Sequence, residues 1–163
     1  MCNYMNDSNR IFAAKYAARS ISTWDIVKFA DTRLNDGDYS DHYLAILDED
    51  TKVWSTVSPH LEKAFREKGM TIPEFEEAIG ILVEHHFRIV VDDCISPRKQ
   101  IAEMLRDIEN FDLHKNINKY VGDNIGISMV YGWFHADCSC TGEIDSSIVR
   151  ECAEWLSKYG GKH

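Results

Sequence analysis

The sequence predicts a mainly α-helical protein, one helical array or bundle over residues 1–163. Three observations predict it. Helix-start residues recur ahead of apolar stripes spaced three and four residues apart. Glycines stand where those stripes end. Prolines number three, and two of them follow serine at helix-start positions.

Residues 8–19 are alanine-rich, which favours helix. Ser22 then caps a helix whose stripe is Trp24, Val27 and Leu34, widened by Ile26, Phe29 and Ala30 and ended by Gly37. Residues 43–57 read either as helix-turn-helix or as a short hairpin turning at Glu49-Asp50-Thr51, and the hairpin would make the fold α+β. Ser58-Pro59 predicts an N-cap with Pro at the first helical position, Leu61 and Phe65 on one face, and Gly69 at the end. Thr71, Pro73 and Glu74 open a helix through about His85, and residues 86–91 either extend it or form a strand.

Ser96-Pro97 repeats the start signal ahead of Ile101, Met104, Leu105 and Ile108. Residues 125–134 are apolar on nearly every side, and agreement with the other segments favours helix. Gly122 and Gly126, four apart, would on a helix let a neighbouring backbone approach. Asp145 is expected to cap the last helix, which carries Ile148, Cys152, Trp155 and Leu156 and ends at Gly160-Gly161.

The composition is 44% apolar and 28% charged, which suits a globular chain. Lys and Arg number 18 against 27 Asp and Glu, leaving a formal net charge of −9. That sign argues against direct binding to nucleic acid or to an anionic membrane, since both need a basic face. It favours a basic partner. No apolar run approaches the roughly 20 residues that span a bilayer. Met1–Asp7 lacks the basic and apolar regions of a signal peptide, and five cysteines make an odd number. A cytoplasmic location with reduced thiols is expected.

The charge is clustered. Residues 41–54 hold one basic and four acidic residues, net −3; residues 71–95 hold one and six, net −5. Residues 121–145 hold four acidic residues and no Lys or Arg, net −4. One expected consequence is a partner-binding acidic face built from Asp41, Asp48, Glu49, Asp50, Glu74, Glu76, Glu77, Asp92 and Asp93. The plain alternative is a set of solvated surfaces that aid solubility.

Chemical motifs are weaker. His135, Cys138, Cys140 and Cys152 have the donor types of a zinc site, but Cys138 and Cys140 are separated by one residue, not the usual two. The same cysteines are candidate redox thiols, with no basic neighbour to lower a pKa and Asp137 to raise it. His85 and His86 are adjacent, so on a helix they diverge by about 100° and make no i,i+4 ligand pair. A helix-terminal histidine facing the dipole is the simpler account. Asp92, Asp93 and Glu84 lack a phosphate-cradling loop for Mg²⁺. No nucleophile signature is present, so neither enzymatic activity nor a cofactor is expected. Tyr131, Trp133 and Phe134 are candidate anchors for a cationic partner, or simply core.

Three segments carry a family resemblance: Trp24-Asp25-Ile26-Val27-Lys28-Phe29-Ala30, Tyr120-Val121-Gly122-Asp123 and Cys152-Ala153-Glu154-Trp155-Leu156. In these helix patterns the chain resembles the acidic immunity proteins of bacterial toxin–immunity systems, including those of contact-dependent growth inhibition. The resemblance implies a non-enzymatic inhibitor that binds a basic, often nuclease-type, toxin domain and masks its active site. The alternative is a zinc-binding or thiol-based regulator or enzyme using His135, Cys138 and Cys140.

Overall fold

The computed structural model describes residues 3–93, 96–116, 119–136 and 141–161. Among these residues all regular structure is helical, with eight α-helices and one 3-10 turn. Residues 43–57 are therefore helix-turn-helix rather than hairpin. Met1–Glu74 and Phe75–His163 form two compact units, taken here in turn.

In the first unit, α1 (Asn3–Ala17), α2 (Thr23–Asn35), α3 (Asp41–Asp48) and α4 (Trp54–Glu67) surround one apolar cluster. Ser22 caps α2 through a reciprocal box: the Asp25 N–H donates to Ser22 Oγ at 3.3 Å, and the Ser22 N–H donates to Asp25 Oδ2 at 2.7 Å. Gly37 follows the helix at φ +80°, a left-handed position that a side chain resists. The inward face of α2 is Ile26, Phe29, Ala30 and Arg33. Trp24, expected in the stripe, is 68% exposed. Three phenylalanines from three helices meet in the core. Phe12 stacks on Phe29 at 3.9 Å, and Phe65 meets both edge-on at 6.4 and 5.9 Å.

Helix α4 begins earlier than Ser58-Pro59 predicts. Its N-cap is Val53, and Thr56 supplies the polar contacts. Thr56 Oγ1 accepts from the Val53 N–H at 3.3 Å and donates to the Thr51 carbonyl at 2.7 Å. Pro59 lies inside the helix on an exposed face, where the Ser55 carbonyl that loses its partner can meet water. Ser58 faces inward and is buried.

In the second unit, α5 (Phe75–Asp93) packs against α6 (Pro97–Asp107) and α8 (Thr141–Tyr159), and α7 (Ser128–His135) packs on α8. Ala78, Ile79, Ile81, Leu82, Val83, Phe87 and Val90 bury α5 around most of its girth. That breadth explains why residues 86–91 extend the helix without a clean stripe. Helix α8 starts before Asp145, which lies in its second turn. Its inward line is Ile144, Ile148, Cys152 and Trp155. Phe87 meets Trp155 edge-on at 5.2 Å, and the indole N–H of Trp155 donates to the Ile125 carbonyl at 3.0 Å.

Gly122 and Gly126 are not helical. Both are left-handed, at φ +84° and +74°, and they flank the 3-10 turn Asp123–Ile125. At its far end α7 is held by Arg98. The guanidinium Nη2 donates to the carbonyls of Phe134 and Ala136, each at 2.9 Å.

Candidate partner-binding surfaces

Within each unit the described acidic candidates fall into separate groups. Asp48, Glu49 and Asp50 lie together where α3 passes into α4. With Ala45, Thr51, Thr56 and His60 they line an open groove of about 610 Å³. Asp48 and Asp50 are exposed, whereas Glu49 is half-buried, its Oε1 3.4 Å from His60 Nε2. The residues that line the groove include three carboxylates and neither Lys nor Arg; the Lys52 ammonium stands beside them, donating from Nζ to the Glu49 carbonyl at 2.8 Å.

Asp41 is in the first turn of α3, seven residues from Asp48, and accepts from the Tyr39 hydroxyl at 2.7 Å. There it also complements the helix dipole. Glu74 is exposed ahead of α5, and Glu76 and Glu77 occupy the first turn of α5 with the same dipole role. Asp92 is exposed in the last turn of α5, where no basic residue offsets the negative helix end. Glu77 and Asp92 are 15 residues apart, about 22 Å along the axis. The Asp93 side chain lies outside the described residues.

Of the zinc and thiol candidates, Cys138 and Cys140 lie outside the described residues. Cys152 is buried on the inward line of α8, as its stripe position predicts. His135 is exposed on α7, its ring 4.4 Å from that of Tyr131. Among the described residues, no three His, Cys, Asp or Glu side chains are grouped to hold a metal ion.

Tyr131 and Trp133 do share a surface. With Tyr120, Val121, Ser128, Met129, Gly132 and Ala136 they line an open, largely apolar groove of about 500 Å³. Phe134, the third aromatic candidate, does not line it.

The histidine pair behaves differently from the sequence expectation. Helix α5 continues to Asp93, so His85 and His86 are internal to it. His86 is 4% exposed and bonded on both ring nitrogens. Nε2 is 2.8 Å from Asp107 Oδ2, and Nδ1 is 2.6 Å from Gln100 Nε2. With the Gln100 amide donating to Nδ1, Nε2 carries the proton and donates to the carboxylate. Both ring nitrogens are thus occupied by partners from α6, which makes His86 a structural tie. Glu84, also buried, accepts from Arg88 Nη2 at 2.6 Å and from the Gly161 N–H at 3.1 Å. Sequence reasoning misses this polar interior because it ends the helix near His85. Only the spacing of Gln100 and Asp107, seven apart on one face of α6, hints at it.

A buried cation lies in the first unit. Arg33 is 7% exposed, its guanidinium 5.2 Å from the Phe29 ring centroid. Its Nε and Nη1 have no hydrogen-bond partner, and neither does the hydroxyl of fully buried Tyr43.

No helix among the described residues is long and apolar enough to cross a membrane. Comparison of the chain with protein-family models, curated proteins and solved structures finds no match.

Proposed function

We propose that this protein is a non-enzymatic binding protein that neutralises a basic, nuclease-type bacterial toxin domain through its acidic surface. The observation that carries the reading is the groove rimmed by Asp48, Glu49 and Asp50, whose walls hold no Lys or Arg. Three carboxylates on an open surface produce a local negative field. Such a field speeds encounter with a basic partner and occupies the cations that would otherwise hold phosphate. The net charge of −9 supports the same polarity. The reading places the protein in the bacterial cytoplasm, bound stoichiometrically to its partner, without a cofactor.

The test is co-expression with the product of the gene immediately upstream, followed by co-purification and kinetic measurement of binding. Charge reversal at Asp48 and Asp50 is expected to slow association by about tenfold and to flatten its salt dependence. An association rate and salt slope that do not change on reversal would reject the acidic-groove mechanism.

A further inference from the structure

Val53 and Trp54 are consecutive apolar residues, 44% and 38% exposed, at the corner where α4 begins. Thr56 holds that corner: its hydroxyl is shared by the Thr51 and Val53 carbonyls, at 2.7 and 2.9 Å. Thr51 and Thr56 also line the groove that carries Asp48, Glu49 and Asp50. The apolar pair and the acidic groove are therefore parts of one short turn. The Trp54 ring is positioned in advance. It stacks on Tyr16 at 5.3 Å and 10°, and the Tyr16 hydroxyl donates to Glu62 Oε1 at 2.6 Å. An aromatic side chain held this way has little freedom left to lose on meeting a partner.

Charge selects the occupant. Residues 48–52 hold three carboxylates against one ammonium, net −2. The ammonium, that of Lys52, is bonded to a neutral acceptor, the Glu49 carbonyl. Glu49 itself faces His60. Asp48 and Asp50 are exposed, and among the described residues neither enters an ion pair. Two carboxylates thus remain open to a cation from outside. A second copy of this corner would set like charge against like, in a chain of net charge −9.

We propose that Val53 and Trp54 are the apolar anchor of the partner-binding surface. A basic protein segment seats one apolar side chain against them and lays its flanking Lys or Arg beside Asp48 and Asp50. The proposal rests on the function proposed above and divides the work at that site. The carboxylates set the association rate, and the anchor sets the dissociation rate.

The experiment titrates the ¹⁵N-labelled chain with three synthetic heptapeptides: Lys with a central Leu, Lys throughout, and Glu with a central Leu. The Trp54 indole resonance, assigned with Trp54→Phe, and the Val53 amide are expected to shift with the Lys/Leu peptide. That peptide is expected to bind about tenfold tighter than the all-Lys peptide. Trp54→Ala is expected to bring it down to the all-Lys level and to leave the all-Lys peptide unchanged. Val53→Ser, which does not touch the Tyr16–Trp54 stack, is expected to act in the same direction. Charge reversal at Asp48 and Asp50 is expected to weaken both basic peptides. Shifts confined to residues 48–50, with equal affinity for the two basic peptides, would overturn the anchor and leave the acidic-groove reading standing. An unmoved Trp54 resonance, equal binding of the Glu/Leu peptide, or self-association abolished by Trp54→Ala would also overturn the anchor. A charge-dependent Lys/Leu preference at Trp54, in a chain with which no upstream product co-purifies, would keep the anchor and reject the toxin reading.

Discussion

His86 Nε2 on α5 lies 2.8 Å from Asp107 Oδ2 on α6, with the two side chains only 5% and 13% exposed. A carboxylate so placed needs its donor, because an unmatched buried acceptor loses its hydration without return. His86→Leu is expected to cost about 1–3 kcal/mol in urea unfolding, and Asp107→Leu about the same. The double variant is expected to cost less than the two added together, since the two side chains share one hydrogen bond that either change already removes.

The reciprocal cap of α2 predicts an acid response. Hydrogen bonds from the Ser22 hydroxyl, then from its amide, hold the Asp25 carboxyl below the usual range. A carboxyl with a lower pKa in the folded chain adds stability above about pH 4, and the gain is lost as pH falls through the folded value. Asp25→Asn should therefore flatten the acid limb of stability against pH. Ser22→Ala should cost about 1 kcal/mol at neutral pH.

Tyr16 and Tyr43 predict the alkaline limb. Burial first, and then the Glu62 carboxylate at 2.6 Å, push the Tyr16 hydroxyl up to about 12. Burial does the same for Tyr43, also to about 12. Folding thus favours the protonated phenols: the gain is whole below about pH 10 and is lost as pH rises toward 12. The double Tyr16→Phe, Tyr43→Phe chain should lose less stability between pH 9 and 11 than the parent. At pH 7 Tyr43→Phe alone should be neutral or stabilising, because its hydroxyl is buried without a partner.

Two glycines in the second unit should respond oppositely to alanine. At Gly122 a Cβ would sit 2.8 Å from Ile127 Cγ1 at φ +84°, so thermal unfolding should register a loss of about 1–3 kcal/mol. At helical Gly132 a Cβ meets nothing, and alanine should gain up to about 1 kcal/mol.

The helical class was readable because start signals and apolar periods agree, as at Ser22 with Ile26, Phe29 and Ala30. Boundaries were readable only where the capping atoms are adjacent in sequence. The start of α4 depends on Thr56 reaching back to Thr51, while the more conspicuous Ser58-Pro59 lies a turn and a half inside. Gly122 and Gly126 have helical spacing but serve a 3-10 turn, which spacing cannot reveal. The placement of the acidic candidates was half readable. Asp48, Glu49 and Asp50 are neighbours in sequence and so in space, whereas Glu77 and Asp92 share a charge run yet stand at opposite ends of α5. The pairing of His86 with Gln100 and Asp107 depends on how α5 and α6 pack, and no local pattern carries that.

The meeting of Phe12, Phe29 and Phe65 bears on how the first unit comes apart. Each ring belongs to a different helix, and each touches the other two. A hole left by any one ring is felt directly by both others. A change in any one of α1, α2 and α4 at this point should therefore be felt at the same place in the core.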